Sequence, residues 1–371
     1  MEKKVFGKDN SLALKGIAII MLMFHHCFRK ASIFKGYSVS FFPLGQNATV
    51  EMALAFKICV SIFAFITGYG LMISLKKLNE KYEWTKKEIF NWEVTRLIKT
   101  LSGFWIIAII AYIACQFLDG RTQVIFFKNG IVYGIIQMII NFFGLSNLFG
   151  TAEICSTWWY MSIAVMFIIV IPVFAKLFKK YNYLSILGVV VILPRILGWE
   201  YVNSSFISFL FPVLIGMICA EKNLLVKIAN FKVINKNNVA NKILKFILET
   251  ALIIILAIIF INLPKEKFWE IRYGIIPFCL ICYLYEFFID LPVLKQVLKF
   301  LGKHAMNIFL IHTFLQAYYL KDFIYSFKNF ALISIVLLLI SLAISIALEL
   351  IKKLIRYDKI IEKLILKLTN K

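Results

Sequence analysis

Apolar stretches of about helix length recur from one end of this chain to the other, and nothing else in it restricts folding so sharply. The hydrocarbon core of a bilayer is crossed by about 20 apolar residues in an α-helix. Stretches of suitable length and apolarity lie at 12–28, 52–75, 97–117, 155–175, 183–199, 204–220, 243–263, 272–289, 303–320 and 330–351. With 61% of the 371 residues hydrophobic and only 17% charged, little chain remains for a separate soluble domain. The expectation is an all-α, polytopic membrane bundle of about ten transmembrane helices. A membrane domain over 1–351 is followed by a basic amphipathic tail over 352–371, which suits a helix lying on the lipid of the inner leaflet.

One segment resists this count. Residues 125–147 are apolar but are interrupted by Lys128, Asn129, Gly130, Gly134, Gln137, Asn141 and Gly144. If they do not cross, the N-terminus, 76–99, 176–182, 221–245, 290–303 and the tail share one side, and that side holds 30 of the 42 Lys and Arg. The opposite side holds nine. Such a bias places the basic side, with both termini, in the cytoplasm. Letting 125–147 cross would invert every later loop and destroy the pattern, so the segment reads as interfacial or re-entrant. The net charge of +22 is then a topological signal, and no nucleic acid is needed to explain it. Lys15 and the His25-His26 pair interrupt the first apolar stretch and no small-residue cleavage site follows, so it reads as a retained helix. The seven cysteines follow no ligand or disulfide spacing and read as small buried hydrophobes, Cys279-x-x-Cys282 included. No metal site is expected.

Ionisable residues inside spans are costly and mark function. In the first span Lys15 and His26 are eleven positions apart, which leaves them about 20° apart around a helix and about 16 Å apart along it. His25 points about 80° away. With the N-terminus inside, Lys15 stands at the cytoplasmic mouth and His26 in the outer half. That spacing suits a substrate anionic at one end and reactive at the other, as a coenzyme A thioester is. A neutral imidazole can take the proton of an attacking hydroxyl; the plainer alternative is a histidine bonded to a neighbouring helix.

These residues carry a resemblance. LKGIAIIMLMFHH, with Lys15 and His26 separated by ten positions, resembles the opening segment of the acyltransferase 3 family of integral membrane acyltransferases. FAFITGYGLMISL from Phe63 to Leu75, with its Thr67-Gly68 step, is similar to the family's second helix, and Arg96-Leu97-Ile98-Lys99 to its basic pair at the third. STWWYMSIAVMFIIVIPV, FPVLIGMICA and LGKHAMNIFLIHTF follow in the family's order. The resemblance implies transfer of an acyl group, commonly acetyl, from acetyl-CoA or another acyl-CoA donor to a hydroxyl of a cell-envelope or exported carbohydrate. It implies a multi-pass protein of the bacterial plasma membrane. His26 becomes the catalytic base, and Lys15, Arg96 and Lys99 the contacts to the donor phosphates. Two features depart from the family. Lysine stands where arginine is commoner, which keeps the charge but loses the bidentate fork. The glutamate many members carry within the Trp-helix motif is absent from Ser162-Ile163-Ala164-Val165, with Glu153 as its candidate replacement.

Other residues divide between roles. Arg96 and Lys99 also suit positive-inside anchors, and His312 in the ninth span suits helix packing as well as chemistry. Trp158 and Trp159 at the outer start of the fourth span suit interfacial anchoring before carbohydrate stacking. A carrier or flippase for a lipid-linked or polar substrate is the rival reading, since intramembrane charge and proline-broken helices serve there too. An inactive binding relative is a third. Neither the acceptor nor the oligomeric state is written in the sequence.

Overall fold

The structure, a computed structural model, describes residues 5–199, 205–234, 238–264 and 268–369. Of the basic residues counted above, Lys3, Lys4, Lys236, Lys265, Lys267 and Lys371 lie outside them, as does Ser204 at the start of one expected span. In chain order the helices are α1 (Lys8–Phe28), α2 (Gln46–Ala55), α3 (Cys59–Leu78), α4 (Lys86–Asp119), α5 (Arg121–Phe126), α6 (Ile131–Phe142), α7 (Ser146–Phe149), α8 (Trp159–Lys180) and α9 (Tyr183–Ile196). Then come α10 (Phe206–Lys222), α11 (Leu224–Asn230), α12 (Asn238–Asn262), α13 (Ile276–Phe287), α14 (Pro292–Thr313), α15 (Lys321–Tyr325), α16 (Phe330–Leu354) and α17 (Tyr357–Thr369). Among the described residues there is no strand, and the chain is an all-α polytopic bundle.

Each of the ten apolar stretches is helical, but they are not equal. Among the described residues six helices are long and apolar enough to cross alone: α1, α2 with α3, α4, α8, α12 and α16. A seventh is reached if α10 and α11, bent by 72°, are one span. The other three fall short for separate reasons. α9 has 14 residues, α13 has 12 and is prolonged by a wider turn over Ile271–Ile275, and α14 is interrupted on one side by Lys295, Lys299 and Lys303. The doubtful segment 125–147 forms no single crossing helix. It divides into the end of α5, α6 and the start of α7, broken where Gly130 and Gly144 take φ of +106° and +69°, values that favour glycine. α6 turns Ile131, Val132, Ile135, Ile136 and Ile139 outward and buries Gly134, Gln137 and Asn141. That is the reverse of a water-facing helix and suits lipid contact.

Contacts between loops sort the bundle into two ends. At one, Lys299 pairs with Asp9 at 2.5 Å, Lys179 with Glu83 at 2.9 Å, Lys76 with Glu221 at 3.3 Å and Lys245 with Glu286 at 2.6 Å, and Tyr357 donates to the Ser102 carbonyl. At the other, Tyr37 donates to Asp322, Tyr319 to Asp119, and the Ser40 amide to the Lys328 carbonyl. The first set joins the loops that the charge count placed together.

Two helix pairs form the centre. α1 crosses α14 so closely that a Cβ on Gly302 would stand 1.9 Å from the Leu12 carbonyl oxygen, and one on Gly16 would stand 2.2 Å from that of Leu298. α3 meets α10 in the same way, Gly68 against Val213 at 2.1 Å and Gly216 against Phe65 at 2.2 Å. Lipid gives no hydrophobic drive for helices to associate, so small residues that admit backbone-to-backbone packing supply the attraction. The Thr67-Gly68 step thus has a structural purpose.

Candidate active site

α1 brings Lys15 and His26 onto one wall. Lys15, Leu22, His26 and Arg29 all line a cavity of about 620 Å³, together with His25. Val60, Phe63 and Thr67 of α3, Tyr160, Met161 and Ala164 of α8, and Lys303, Met306 and Phe309 of α14 close it. The volume is that of an ordinary small-molecule site, and apolar residues make up most of its walls. Because α1 and α14 touch through Gly16 and Gly302, Lys15 and Lys303 fall at the same level, and Lys99 of α4 joins them there. The basic end of the bundle therefore opens into the cavity through three lysines.

The neighbouring histidines of α1 do different work. His25 is buried and donates from Nδ1 to the Ala53 carbonyl at 2.6 Å. This ties α1 to the place where α2 tightens into a 3₁₀ turn over Phe56–Ile58 before α3 begins. A carbonyl only accepts, so this bond fixes the proton on Nδ1. His26 makes no hydrogen bond with any described residue and its ring borders the cavity. Behind it lies His312, fully buried, with ring centroids 4.7 Å apart. His312 donates from Nδ1 to the Phe309 carbonyl at 2.7 Å, which leaves Nε2 as an acceptor facing Thr313 Oγ1 at 3.2 Å. Thr313 Oγ1 lies 3.0 Å from Thr157 Oγ1, and Thr157 reaches the cavity. A polar thread thus runs from the buried ring to the chamber wall.

The remaining expected residues stand elsewhere. Arg96 does not line the cavity: its guanidinium donates to Ser74 Oγ and lies over the Trp92 ring, while Trp92 Nε1 donates to the same oxygen at 2.8 Å. Trp158 is no interfacial anchor. It is 2% exposed, donates from Nε1 to the Leu310 carbonyl at 3.0 Å and packs edge-on against Phe104. The loop over 150–158 turns inward before α8 starts, which a span drawn from residue 155 does not foresee. Trp159 takes the cavity position instead and stacks on Phe209. Glu153 lies outside the lining, partly buried, and burial pushes its carboxyl up to about 7. Sequence reading misses Lys303, Thr157 and Arg29. Lys303 is adjacent to a glycine of the α14 seam and Arg29 is one turn beyond His26, so only the second carried a local signal.

A helical bundle with an enclosed chamber, cations at its mouth and an unbonded imidazole within is a multi-pass membrane protein built to hold a substrate. A family model described as an acyltransferase domain matches residues 12–350. The chain belongs to that family, acyltransferase 3, and is a membrane acyltransferase. No curated protein matches it, and no solved structure does.

Proposed function

We propose that the protein transfers an acyl group, acetyl first among them, from a cytoplasmic acyl-coenzyme A to a hydroxyl of a cell-envelope or exported carbohydrate. The observation that carries this reading is that Lys15 and His26 line one cavity. The donor phosphates rest at the end holding Lys15, Lys99 and Lys303, and the thioester arm extends along α1 for the roughly 16 Å that separates Lys15 from His26. His26, neutral, takes the proton of the acceptor hydroxyl. The oxygen attacks the thioester carbonyl, the C–S bond breaks, and the departing thiolate takes the proton back from the imidazolium. His312 packs its ring at a tilt against that of His26 and is a positioning residue. Arg96 braces the cytoplasmic end through Ser74. Loops on the basic side are cytoplasmic, so donor and acceptor arrive from opposite faces of a bacterial plasma membrane. The tail helix α17 lies on the inner leaflet, held to α4 through Tyr357.

Purified protein in detergent should release thiol from acetyl-CoA only when a hydroxyl acceptor is present. His26→Ala should abolish release while keeping the melting temperature. Lys15→Met should raise KM for the donor about tenfold and leave kcat close to wild type. Turnover retained by His26→Ala would remove the imidazole from the reaction, and donor binding without turnover by any acceptor would make the chain a binding relative.

A further inference from the structure

Among the described residues six cations border the cavity, Lys15, Arg29, Lys30, Lys57, Lys99 and Lys303, and no Asp or Glu does. Three stand at the basic mouth, where the donor phosphates account for them. The others stand near His26. Arg29, the C-cap of α1, follows it by three residues, about one helical turn or roughly 5 Å along the axis, and Lys30 follows in extended backbone. Lys57 lies on the 3₁₀ turn that His25 holds through Ala53. A coenzyme A thioester is anionic at one end only, and its acyl end is neutral. The donor therefore leaves the Arg29 end of the chamber unexplained.

Topology does not explain it either. This is the sparsely charged end, where the positive-inside bias predicts few Lys or Arg; Lys57 borders the chamber there with its Nζ 5.5 Å from the Tyr273 ring centroid. Arg29 is the sharpest case: its guanidinium meets no acceptor among the described residues, and its Nε is buried without a partner. A guanidinium is a rigid fork of five donors matched to carboxylate or phosphate oxygens. Half-buried and bordering the chamber, it has the donor geometry to receive an anion.

We propose that the acceptor is anionic, a hydroxyl compound bearing a carboxylate or phosphate that Arg29 grips, with Lys57 adding charge. This rests on the acyl-transfer reading above and specifies its acceptor. One helical turn between Arg29 and His26 puts the anion on the same sugar or polyol unit as the acylated hydroxyl, or on its immediate neighbour. Two sources share this chemistry, an acidic glycan built from uronates and a polyol phosphate polymer.

The test uses full-length protein in detergent with acetyl-CoA and three acceptors: a neutral oligosaccharide, the matching oligouronate and an oligomeric polyol phosphate. One anionic acceptor should exceed the neutral one in kcat/KM by at least tenfold, and which one identifies the source. Arg29→Gln should raise KM for that acceptor about tenfold and leave KM for acetyl-CoA unchanged; Arg29→Lys should recover part of the loss. Binding is read separately in His26→Ala, where the anionic acceptor and not the neutral one should raise the melting temperature, an effect removed by adding Arg29→Gln. Equal use and equal binding of all three acceptors would overturn the proposal while leaving acyl transfer standing. A rise in KM for acetyl-CoA on Arg29→Gln would overturn it too, by assigning Arg29 to the donor. Absence of thiol release with every acceptor would sink the transfer reading, and the His26→Ala binding measurement would still decide the anion.

Discussion

Gly302→Ala should damage this protein far out of proportion to one methyl group. A Cβ there would stand 1.9 Å from the Leu12 carbonyl oxygen, whereas real Cβ atoms essentially never come closer than 3.0 Å. The obstacle is backbone, so no side chain can swing aside, and α1 and α14 must part by at least about 1.1 Å. Overpacking of this kind costs roughly 1–3 kcal/mol. Lys15 and His26 travel with α1, while Lys303 and His312 remain on α14. A shift of about 1 Å in reacting groups costs on the order of 10²-fold in rate. Gly70→Ala is the internal control: it lies in α3, exposed, with nothing within 4 Å of its Cβ position, and alanine is the better helix former by about 1 kcal/mol. Melting in detergent and thiol release from acetyl-CoA should therefore move in opposite senses for the two variants, or leave Gly70→Ala unchanged. A Gly302→Ala protein as stable and active as wild type would refute the close crossing.

Two further substitutions probe residues outside the chamber. Trp158→Phe leaves the buried Leu310 carbonyl without its donor and should cost roughly 1–3 kcal/mol, seen as a lower melting temperature with donor KM unchanged. Glu153, whose carboxyl burial raises from 4.5 to about 7, keeps in the fold a proton that the unfolded chain has already released. Its contribution to stability is full below about pH 4.5 and is lost as pH rises to about 7. Melting temperatures from pH 4.5 to 8 should show that decline in wild type and less of it in Glu153→Gln; parallel curves would contradict the buried carboxyl.

What could be read from sequence was local. Apolar length located ten helices, and the 3.6-residue period set Lys15 and His26 on one face of α1, since both depend only on neighbours in the chain. The alternation of basic loops anticipated which of them meet at one end, because charge bias is a sum over segments. What depended on distant segments was not legible. Lys303 enters the chamber only because Gly16 and Gly302 let two helices touch, and Arg96 misses it because Ser74 from α3 takes its guanidinium. Trp158 is buried through a carbonyl more than 150 residues away, and His312 owes its place behind His26 to the same crossing. The helical ends also escaped. α9, α13 and α14 are too short or too interrupted to cross alone, and composition averaged over a window hides that.

The seams through Gly16, Gly302, Gly68 and Gly216 have a mechanical consequence. Each couples two helices main chain to main chain, so neither pair can breathe apart without giving up its own attraction. α4 meets α14 more softly, with Gly103 facing the pliable thioether of Met306 at 3.4 Å, and Met306 borders the chamber. The chamber thus has two stiff walls and one yielding one, and a long, narrow molecule threading through it gains its clearance on the yielding side.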